Sequence, residues 1–371
     1  MKPFFATVFG GLALGFLLVF YVDPRHLFHR ERLPEKPPLH GEGMPISIFF
    51  KYGPRPLKLA HITYIEPPDL VLLGSSRTML ANSHMVSPSL KFFNFSVDGA
   101  KYTDYVGFWE ALNEAGKRPR YLVLVPDGYA INGRYPGGVW LNTLKYFDRF
   151  IDKDAGPVRR GWDHLMEVWY ALNESITWEM FRDSTKAALH VEPIWDMRGI
   201  TKEDAAQNAV PQYLGDGGIT EFPVKTKSEQ LAQARFYGNL GAGLYSTIMY
   251  PWTPNPKAIQ AMDRILKDAH QKGTRVMIII PPFHPQTFKT ISTLGALSGP
   301  FAEYRSIFKN LAAENPGTAF CDVMDPARLN CTEDDFVDAL HMVPRCVETM
   351  IRSCFTDQGW SDLLPTQPHK T

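Results

Sequence analysis

Residues 70–78 read LVLLGSSRT. The four apolar residues at the start of this stretch predict a short buried strand. The glycine at position 74 ends the run, and small hydroxyl residues follow where a helix is expected to begin. A buried strand that turns directly into a helix is typical of a parallel sheet with crossover helices.

The same alternation of short apolar runs and helical stretches continues along the chain. Four more runs predict strands at Phe92–Phe95, Tyr121–Val125, Val276–Ile280 and Ala319–Val323. Apolar spacing near the helical period predicts helices at Tyr105–Ala115, Ala258–Gln271 and Phe301–Ala313. Gly273 is placed to end the second helix. We therefore expect an α/β fold, a flavodoxin-like, three-layer doubly wound parallel sheet of about five strands.

The overall charge excludes one class of function. Lys plus Arg and Asp plus Glu each number 39 in 371 residues, so the net charge is zero. No basic block stands out, whereas neutralising nucleic-acid phosphates requires one. We therefore expect no nucleic-acid partner, and a chain of this length can bury a large core.

The N-terminal segment predicts a transmembrane helix. An apolar run extends from Phe4 to Val22 and ends in bulky residues rather than in a cleavage site for a signal peptide. An uncleaved single-pass anchor is favoured over the alternative, a buried helix of a soluble domain. The basic residues at 25, 30, 32 and 36 conflict with an outward-facing domain, because positive charges next to a span favour the cytoplasm.

The four cysteines favour the outward orientation. All of them, Cys321, Cys331, Cys346 and Cys354, lie in one C-terminal stretch, and their even number fits two disulfides. Disulfides persist outside the reducing cytoplasm, and the closely spaced cysteine pairs of a zinc site are absent from the sequence. The alternative is a set of reduced thiols that fill the core.

Composition divides the chain into six segments. We assign residues 1–22 to the membrane anchor, 23–65 to a Pro-rich stalk, 66–150 and 256–358 to the two parts of the α/β domain, 151–255 to an insertion or cap, and 359–371 to a tail. The insertion is expected to be mostly helical and irregular, with a helix at Trp162–Asn173. It carries five of the eight tryptophans, which fit either a small core of its own or a cap over a site.

Ser76 is a candidate nucleophile. Ligands of a doubly wound sheet bind beyond the carboxyl ends of the strands, where the turn after the first strand lies. A serine at a helix N-terminus there has backbone N–H groups and the positive end of the helix dipole close by, and both can stabilise an oxyanion. The alternative is that the serine only caps the helix.

Asp338 and His341 are candidates for the remaining members of a triad. They follow the last predicted strand and stand three positions apart, so on a helical turn they would face the same side. A serine nucleophile needs a base, and the base needs an acceptor that fixes its tautomer. The alternative is an aspartate that only caps the helix that His341 enters.

In these blocks the sequence resembles the SGNH, or GDSL-like, hydrolase superfamily, especially its membrane-anchored acyltransferase-like branch of D-alanyl transfer and alginate O-acetylation proteins. Leu73-Gly74-Ser75-Ser76 is similar to the first block and implies Ser76 as the nucleophile. Asn94 to Gly99 is similar to the second block, and it implies that Gly99 joins Ser76 in the oxyanion hole. Asp338-Ala339-Leu340-His341 is similar to the last block, D-x-x-H.

The third block of the superfamily, Gly-x-Asn-Asp, is not matched. The chain has Pro126-Asp127-Gly128-Tyr129 at that place, and Asn132 lies nearby but out of register. Losing one oxyanion donor typically costs on the order of 100-fold in rate. The departure disfavours a fast general esterase and is compatible with the acyl-transfer branch.

Four further residues are tentative substrate-binding candidates: Arg77, Tyr129, Asn132 and His284. Arg77 follows the nucleophile, where it could bind an anionic group or form a salt bridge with its surroundings. Tyr129 and Asn132 belong to a loop that could hold a sugar or could be an irregular turn. His284 follows the fourth strand and would lie near the cleft or be packed as a neutral side chain. No spacing indicates a metal site, and no cofactor is expected.

These observations predict an extracytoplasmic serine acyltransferase. An acyl group would pass from a donor through Ser76 to a hydroxyl of a cell-surface glycan acceptor. The resemblance implies a multipass membrane acyltransferase as a partner, and a single-pass location in a bacterial inner membrane with the domain in the periplasm or outside the cell. The alternatives are an acyl-ester hydrolase of the same fold and a non-catalytic glycan-binding assembly subunit.

Overall fold

The computed structural model describes residues 53–134, 212–220 and 251–366, with residues 37–39 and 42–46 and isolated positions elsewhere. The strands are β1 Gly43–Pro45, β2 Leu70–Gly74, β3 Phe92–Asn94, β4 Tyr121–Val125, β5 Gln212–Leu214, β6 Arg275–Ile280 and β7 Thr318–Asp322. The helices longer than one turn are α1 Pro54–Tyr64, α2 Tyr102–Glu114, α3 Pro256–Gln271, α4 Pro285–Thr293, α5 Gly295–Glu314 and α6 Pro344–Asp357.

Five strands form a parallel sheet in the order β3-β2-β4-β6-β7. This is the doubly wound, flavodoxin-like order, so the predicted fold class is confirmed. All five predicted strands are present, with ends within one residue of those expected. Strands β1 and β5 form a separate antiparallel pair.

Side chains of the parallel sheet alternate between its two faces. In β2, Val71 and Leu73 pack in one buried cluster, and Leu70 and Leu72 pack in the other. Helices α2, α3 and α5 contribute to the first cluster, and α6 contributes to the second. Both faces are covered, which explains why the strands read as continuous apolar runs.

The residues at the end of the predicted stalk are folded against the domain. Helix α1 covers residues 54–64, and its Leu57 and Ile62 join the two core clusters. Arg55, Lys58 and His61 on the same helix are also buried. Charged side chains that suggested a solvated stalk therefore face the interior.

Other segments lie largely outside the described residues. They include the predicted membrane anchor at 1–22, the helix at Trp162–Asn173 and most of the insertion at 151–255. Within the part of the chain that the structure describes, no helix is long and apolar enough to cross a membrane. The anchor stays a prediction.

Both disulfides expected from the cysteine count are present. Cys321 in β7 is bonded to Cys354 in α6, and Cys331 is bonded to Cys346 in the first turn of α6. The second bond brackets the segment that carries Asp338 and His341. Two disulfides indicate an extracellular or periplasmic domain.

We expect the double substitution C331S/C346S to lower the free energy of unfolding by about 3 kcal/mol, because the bond closes a loop with a sequence separation of 15 residues. Urea unfolding, with the double variant C321S/C354S as the comparison, measures the effect. A loss below about 1 kcal/mol would mean that the loop is ordered without its covalent link.

Candidate active site

The candidate residues converge at the carboxyl edge of the parallel sheet. Ser76 follows β2, Asp127 follows β4, His284 follows β6, and the segment 336–343 comes after β7. The carboxyl ends of parallel strands meet at one edge, where ligands of such sheets bind.

The turn after β2 is a short 3₁₀ turn, Ser76–Thr78, and not the start of a helix. The expectation of a helix dipole behind Ser76 was therefore wrong. Ser75 caps the turn, because its hydroxyl accepts a hydrogen bond from the backbone N–H of Arg77 at 3.3 Å. The capping role thus belongs to Ser75, which leaves the Ser76 hydroxyl available for other contacts.

Gly74 is required by close packing beneath this turn. A Cβ atom at this position would lie 2.1 Å from Oγ1 of Thr78 and 2.9 Å from Oγ of Ser96. These two hydroxyls are hydrogen-bonded to each other at 2.8 Å. The glycine therefore lets the turn after β2 lie directly against the loop after β3.

A hydrogen-bonded chain joins the three candidate triad residues. Oγ of Ser76 lies 2.8 Å from Nε2 of His341, and Nδ1 of His341 lies 2.6 Å from Oδ2 of Asp338. The His341 and Asp338 side chains are 22% and 27% exposed, so the base lies near the protein surface and not in the core. This geometry can transfer a proton from the serine hydroxyl to the imidazole.

The segment that carries Asp338 and His341 is a tight loop, whereas the sequence suggested a helical turn. Phe336 and Met342 form an antiparallel bridge across it, and the N–H of Val337 donates to the carbonyl of His341 at 2.8 Å. Oδ1 of Asp338 accepts the N–H groups of Leu340 and His341 at 2.9 and 2.8 Å. Asp338 therefore shapes the loop with one oxygen and contacts the imidazole with the other.

These contacts set the ionisation of Asp338. Burial alone would raise the pKa of its carboxyl group. The charge and hydrogen bond of His341, together with the two backbone N–H groups, outweigh that effect, so the pKa lies below its ordinary value of 3.8. The carboxylate is therefore ionised at neutral pH.

Arg77 is fully buried and binds three of the loops at this edge. Its Nη1 donates to Oδ1 of Asp127 at 2.7 Å, its Nε donates to the carbonyl of Leu340 at 3.3 Å, and its Nη2 donates to the carbonyl of Pro282. The guanidinium also stacks on the ring of Phe283, 4.1 Å from its centroid. Of the two interpretations of Arg77, the contacts fit the structural salt bridge.

The loop after β3 packs against the Ser76 turn. The amide of Asn94 donates to the carbonyls of Thr78 and Ala81, both at 2.8 Å, and the N–H of Val97 donates to the carbonyl of Gly74 at 3.1 Å. Two residues further on, Gly99 has a φ of 53°, a left-handed conformation that favours glycine. A Cβ there would meet no atom within 4 Å, so the space beside Gly99 is open.

Tyr129 and Asn132 are buried in the loop after β4. Oδ1 of Asn132 accepts the N–H groups of Arg134 and Thr253 at 3.1 and 3.2 Å, which ties two loops together. This contact fits a structural role for the asparagine carbonyl.

His284 is packed beneath the loop that holds the candidate acid and base. Its Nδ1 accepts the N–H of Gln286 at 3.2 Å, its own N–H donates to the carbonyl of Ala339 at 3.2 Å, and its ring lies edge-on to Phe336. Burial lowers the pKa of His284, although the charges of Glu333 and Asp338 oppose the effect. These contacts fit the packed, neutral histidine.

Three charged residues that contact these loops were not given a role from the sequence. Asp127 stands where the third block departs from the superfamily pattern, and only its buried partner reveals its function. Arg55 and Lys58 lie in the predicted Pro-rich stalk. Pro54, a residue type favoured in the first turn of a helix, was the available signal for α1.

Comparison with known proteins adds distant structural similarity only. No protein-family model and no curated protein matches the chain. A solved structure from Streptococcus pneumonia, described as a platelet activating factor, is similar over 82% of this chain and 88% of its own, with 11% sequence identity and a TM-score of 0.35. At this TM-score the similarity does not establish a shared fold.

We expect R77M to lower the free energy of unfolding by about 3–5 kcal/mol, because it leaves the buried carboxylate of Asp127 without its cation. The double variant R77M/D127L should recover part of this loss, since it removes both charges. Urea unfolding of both variants tests the ion pair. A double variant that is as unstable as the single one would assign the loss to the contacts of Arg77 with the backbone and with Phe283.

The lowered pKa of Asp338 predicts a pH-dependent contribution to stability. The ionised carboxylate stabilises the fold above its unfolded pKa near 3.8, and this contribution disappears as the pH falls through the lower pKa of the folded state. The stability difference between wild type and D338N should shrink as the pH falls below about 4. Urea unfolding as a function of pH measures it, and a difference that grows in acid would contradict the sign.

Proposed function

We propose that this chain is a serine acyl-enzyme of the SGNH type, with Ser76 as nucleophile, His341 as base and Asp338 as the residue that orients the base. The observation that carries the proposal is the hydrogen-bonded chain from Ser76 through His341 to Asp338 at the carboxyl edge of the sheet. The partial exposure of His341 and Asp338 supports access for a substrate.

The proposed reaction has two halves. In the first, Oγ of Ser76 attacks the carbonyl carbon of an acyl donor while Nε2 of His341 takes its proton, and His341 then protonates the leaving group. In the second, His341 removes a proton from the acceptor hydroxyl, which attacks the acyl-serine and restores the Ser76 hydroxyl. Asp338 holds the proton on Nδ1, so that Nε2 is the basic nitrogen in each half.

The oxyanion of each tetrahedral intermediate would be bound by backbone N–H groups. The proposed donors are those of Ser76 and Gly99, since the asparagine of the third block is absent. A hole that lacks one donor is expected to be slower by about 100-fold. This feature favours a slow enzyme, to which the acyl donor and the acceptor are delivered. It disfavours a fast free-standing esterase.

We propose O-acylation of a cell-surface glycan as the reaction. Three features support it: the extracytoplasmic location indicated by the disulfides, the predicted anchor at residues 1–22, and the reduced oxyanion hole. A multipass membrane acyltransferase would supply the acyl group. The loop after β4, whose Arg134 is exposed, is proposed to face the acceptor.

A hydrolase is the second candidate. The exposed fraction of His341, 22%, leaves the base accessible to water, which could accept the acyl group in place of a glycan hydroxyl. Transfer and hydrolysis share the acyl-serine and differ in the acceptor. Mass spectrometry of the products formed from an acyl donor, with and without an added glycan, separates the two.

We expect a fluorophosphonate probe to label the purified protein at Ser76 and S76A to abolish the labelling. S89A, which removes an exposed hydroxyl elsewhere, is the matched control and should be labelled like wild type. Hydrolysis of an acyl-ester probe should fall by at least about 1,000-fold in S76A. Full activity of S76A, or an unlabelled wild-type protein, would overturn the proposed mechanism.

A further inference from the structure

Helix α1 contacts the loop that carries the proposed oxyanion donor. We infer that Arg55 and Lys58 are positioning residues, which hold residues 94–99 so that the N–H of Gly99 faces the oxyanion; this rests on the proposed function. Neither residue contacts the triad side chains among the described contacts, so both would act through the loop.

Lys58 holds the first half of the loop. Its Nζ is buried and donates to the carbonyls of Asn94 and Ser96 at 2.8 and 2.6 Å. Burial lowers its pKa well below the usual value, although the charges of Asp216 and Asp98 oppose the shift. Burying an amine is costly, and here the amine binds the carbonyl of the last residue of β3 and that of Ser96 in the loop after it.

Arg55 holds the second half of the loop. Its Nε and Nη2 bind the two oxygens of Asp104 at 2.9 and 3.0 Å, in a bidentate pair at the start of α2. The same guanidinium donates from Nη1 to Oδ1 of Asp98 at 3.1 Å and from Nη2 to the carbonyl of Asp98 at 2.6 Å. Asp98 is thereby fixed to the first turn of α2.

The contact with the Asp98 carbonyl determines the direction of the proposed donor. The carbonyl of Asp98 and the N–H of Gly99 belong to one planar peptide unit and point in opposite directions. Arg55 attracts the carbonyl oxygen to its own side, so the N–H of Gly99 points away from Arg55. A peptide flip, which would turn the N–H towards α1, would break this bond and bring the N–H towards the cation.

The C-terminal end of helix α1 has contacts of its own, away from residues 94–99. Nζ of Lys117 donates to the carbonyls of Ile62, Thr63 and Ile65 at 2.6–2.9 Å. His61 is bonded to the hydroxyl of Tyr213 at 2.7 Å and to the carbonyl of Pro38 at 2.7 Å. The contacts with residues 94–99 come instead from Arg55 and Lys58, in the N-terminal half of α1.

The test compares R55K and K58M with K117M in the purified full chain. K117M is the matched control, because Lys117 also binds backbone carbonyls of α1 but contacts no residue of 94–99. Turnover of p-nitrophenyl acetate gives kcat, KM and the pH profile, and thermal unfolding gives Tm. R55K and K58M should lower kcat by about 10- to 100-fold with KM within about threefold and an unchanged pH profile. K117M should lower Tm with kcat unchanged.

Two outcomes would overturn the inference. In the first, R55K keeps kcat within twofold of wild type. In the second, K117M lowers kcat as much as R55K does at the same loss of Tm. Either result would leave Arg55 with a structural role only. If K58M does not fold, R55K decides together with D98N, which keeps the carbonyl contact and should retain most of kcat. Wild-type protein without Ser76-dependent turnover would remove the proposed function itself, whereas turnover that R55K leaves intact removes only the positioning role.

Discussion

The buried ion pair of Arg77 with Asp127 is the interaction on which the arrangement at the carboxyl edge depends. Arg77 is the residue after Ser76, and it also binds the carbonyl of Leu340, the residue before His341. The spacing between the candidate nucleophile and its base is therefore set through the side chain of Arg77. The negative charge of Asp127 offsets the free-energy cost of burying the Arg77 guanidinium.

Buried cations perform the same structural task on two sides of Ser76. Loops at the end of a sheet have carbonyls that no neighbouring strand can satisfy, and such groups are rarely left without partners in an interior. Arg77 binds the backbone carbonyls after β6 and before His341. Lys58 and Arg55 bind the backbone carbonyls at the end of β3 and in the loop after it. Long side chains with several hydrogen-bond donors can hold an irregular backbone segment in place, as the hydrogen bonds between strands do within a sheet.

The sequence predicted the parts of the molecule that depend on local pattern. The strands were found because burial on both faces makes them apolar throughout, and the Asp338 and His341 pair was found from its spacing. Helix α1 was missed because the partners of Arg55 and Lys58 come from residues 94–104, which are distant in the sequence. The 3₁₀ turn at Ser76 could not be told from a helix start, since it depends on the contact of Thr78 with Ser96. The disulfide pairing was open because four cysteines allow three pairings.

The distance along the chain between the two halves of the candidate site has a consequence for the order of assembly. Ser76 and His341 are 265 residues apart, and the last strand of the parallel sheet, β7, comes shortly before His341 in the sequence. The two disulfides join the segments on either side of His341. During synthesis Ser76 emerges first. It contacts His341 only after β7, the last strand, has docked at the edge of the sheet. Contacts between such distant residues form late in folding because closing the long loop costs entropy. In the proposed mechanism, the hydroxyl of Ser76 is therefore activated only when the domain is complete.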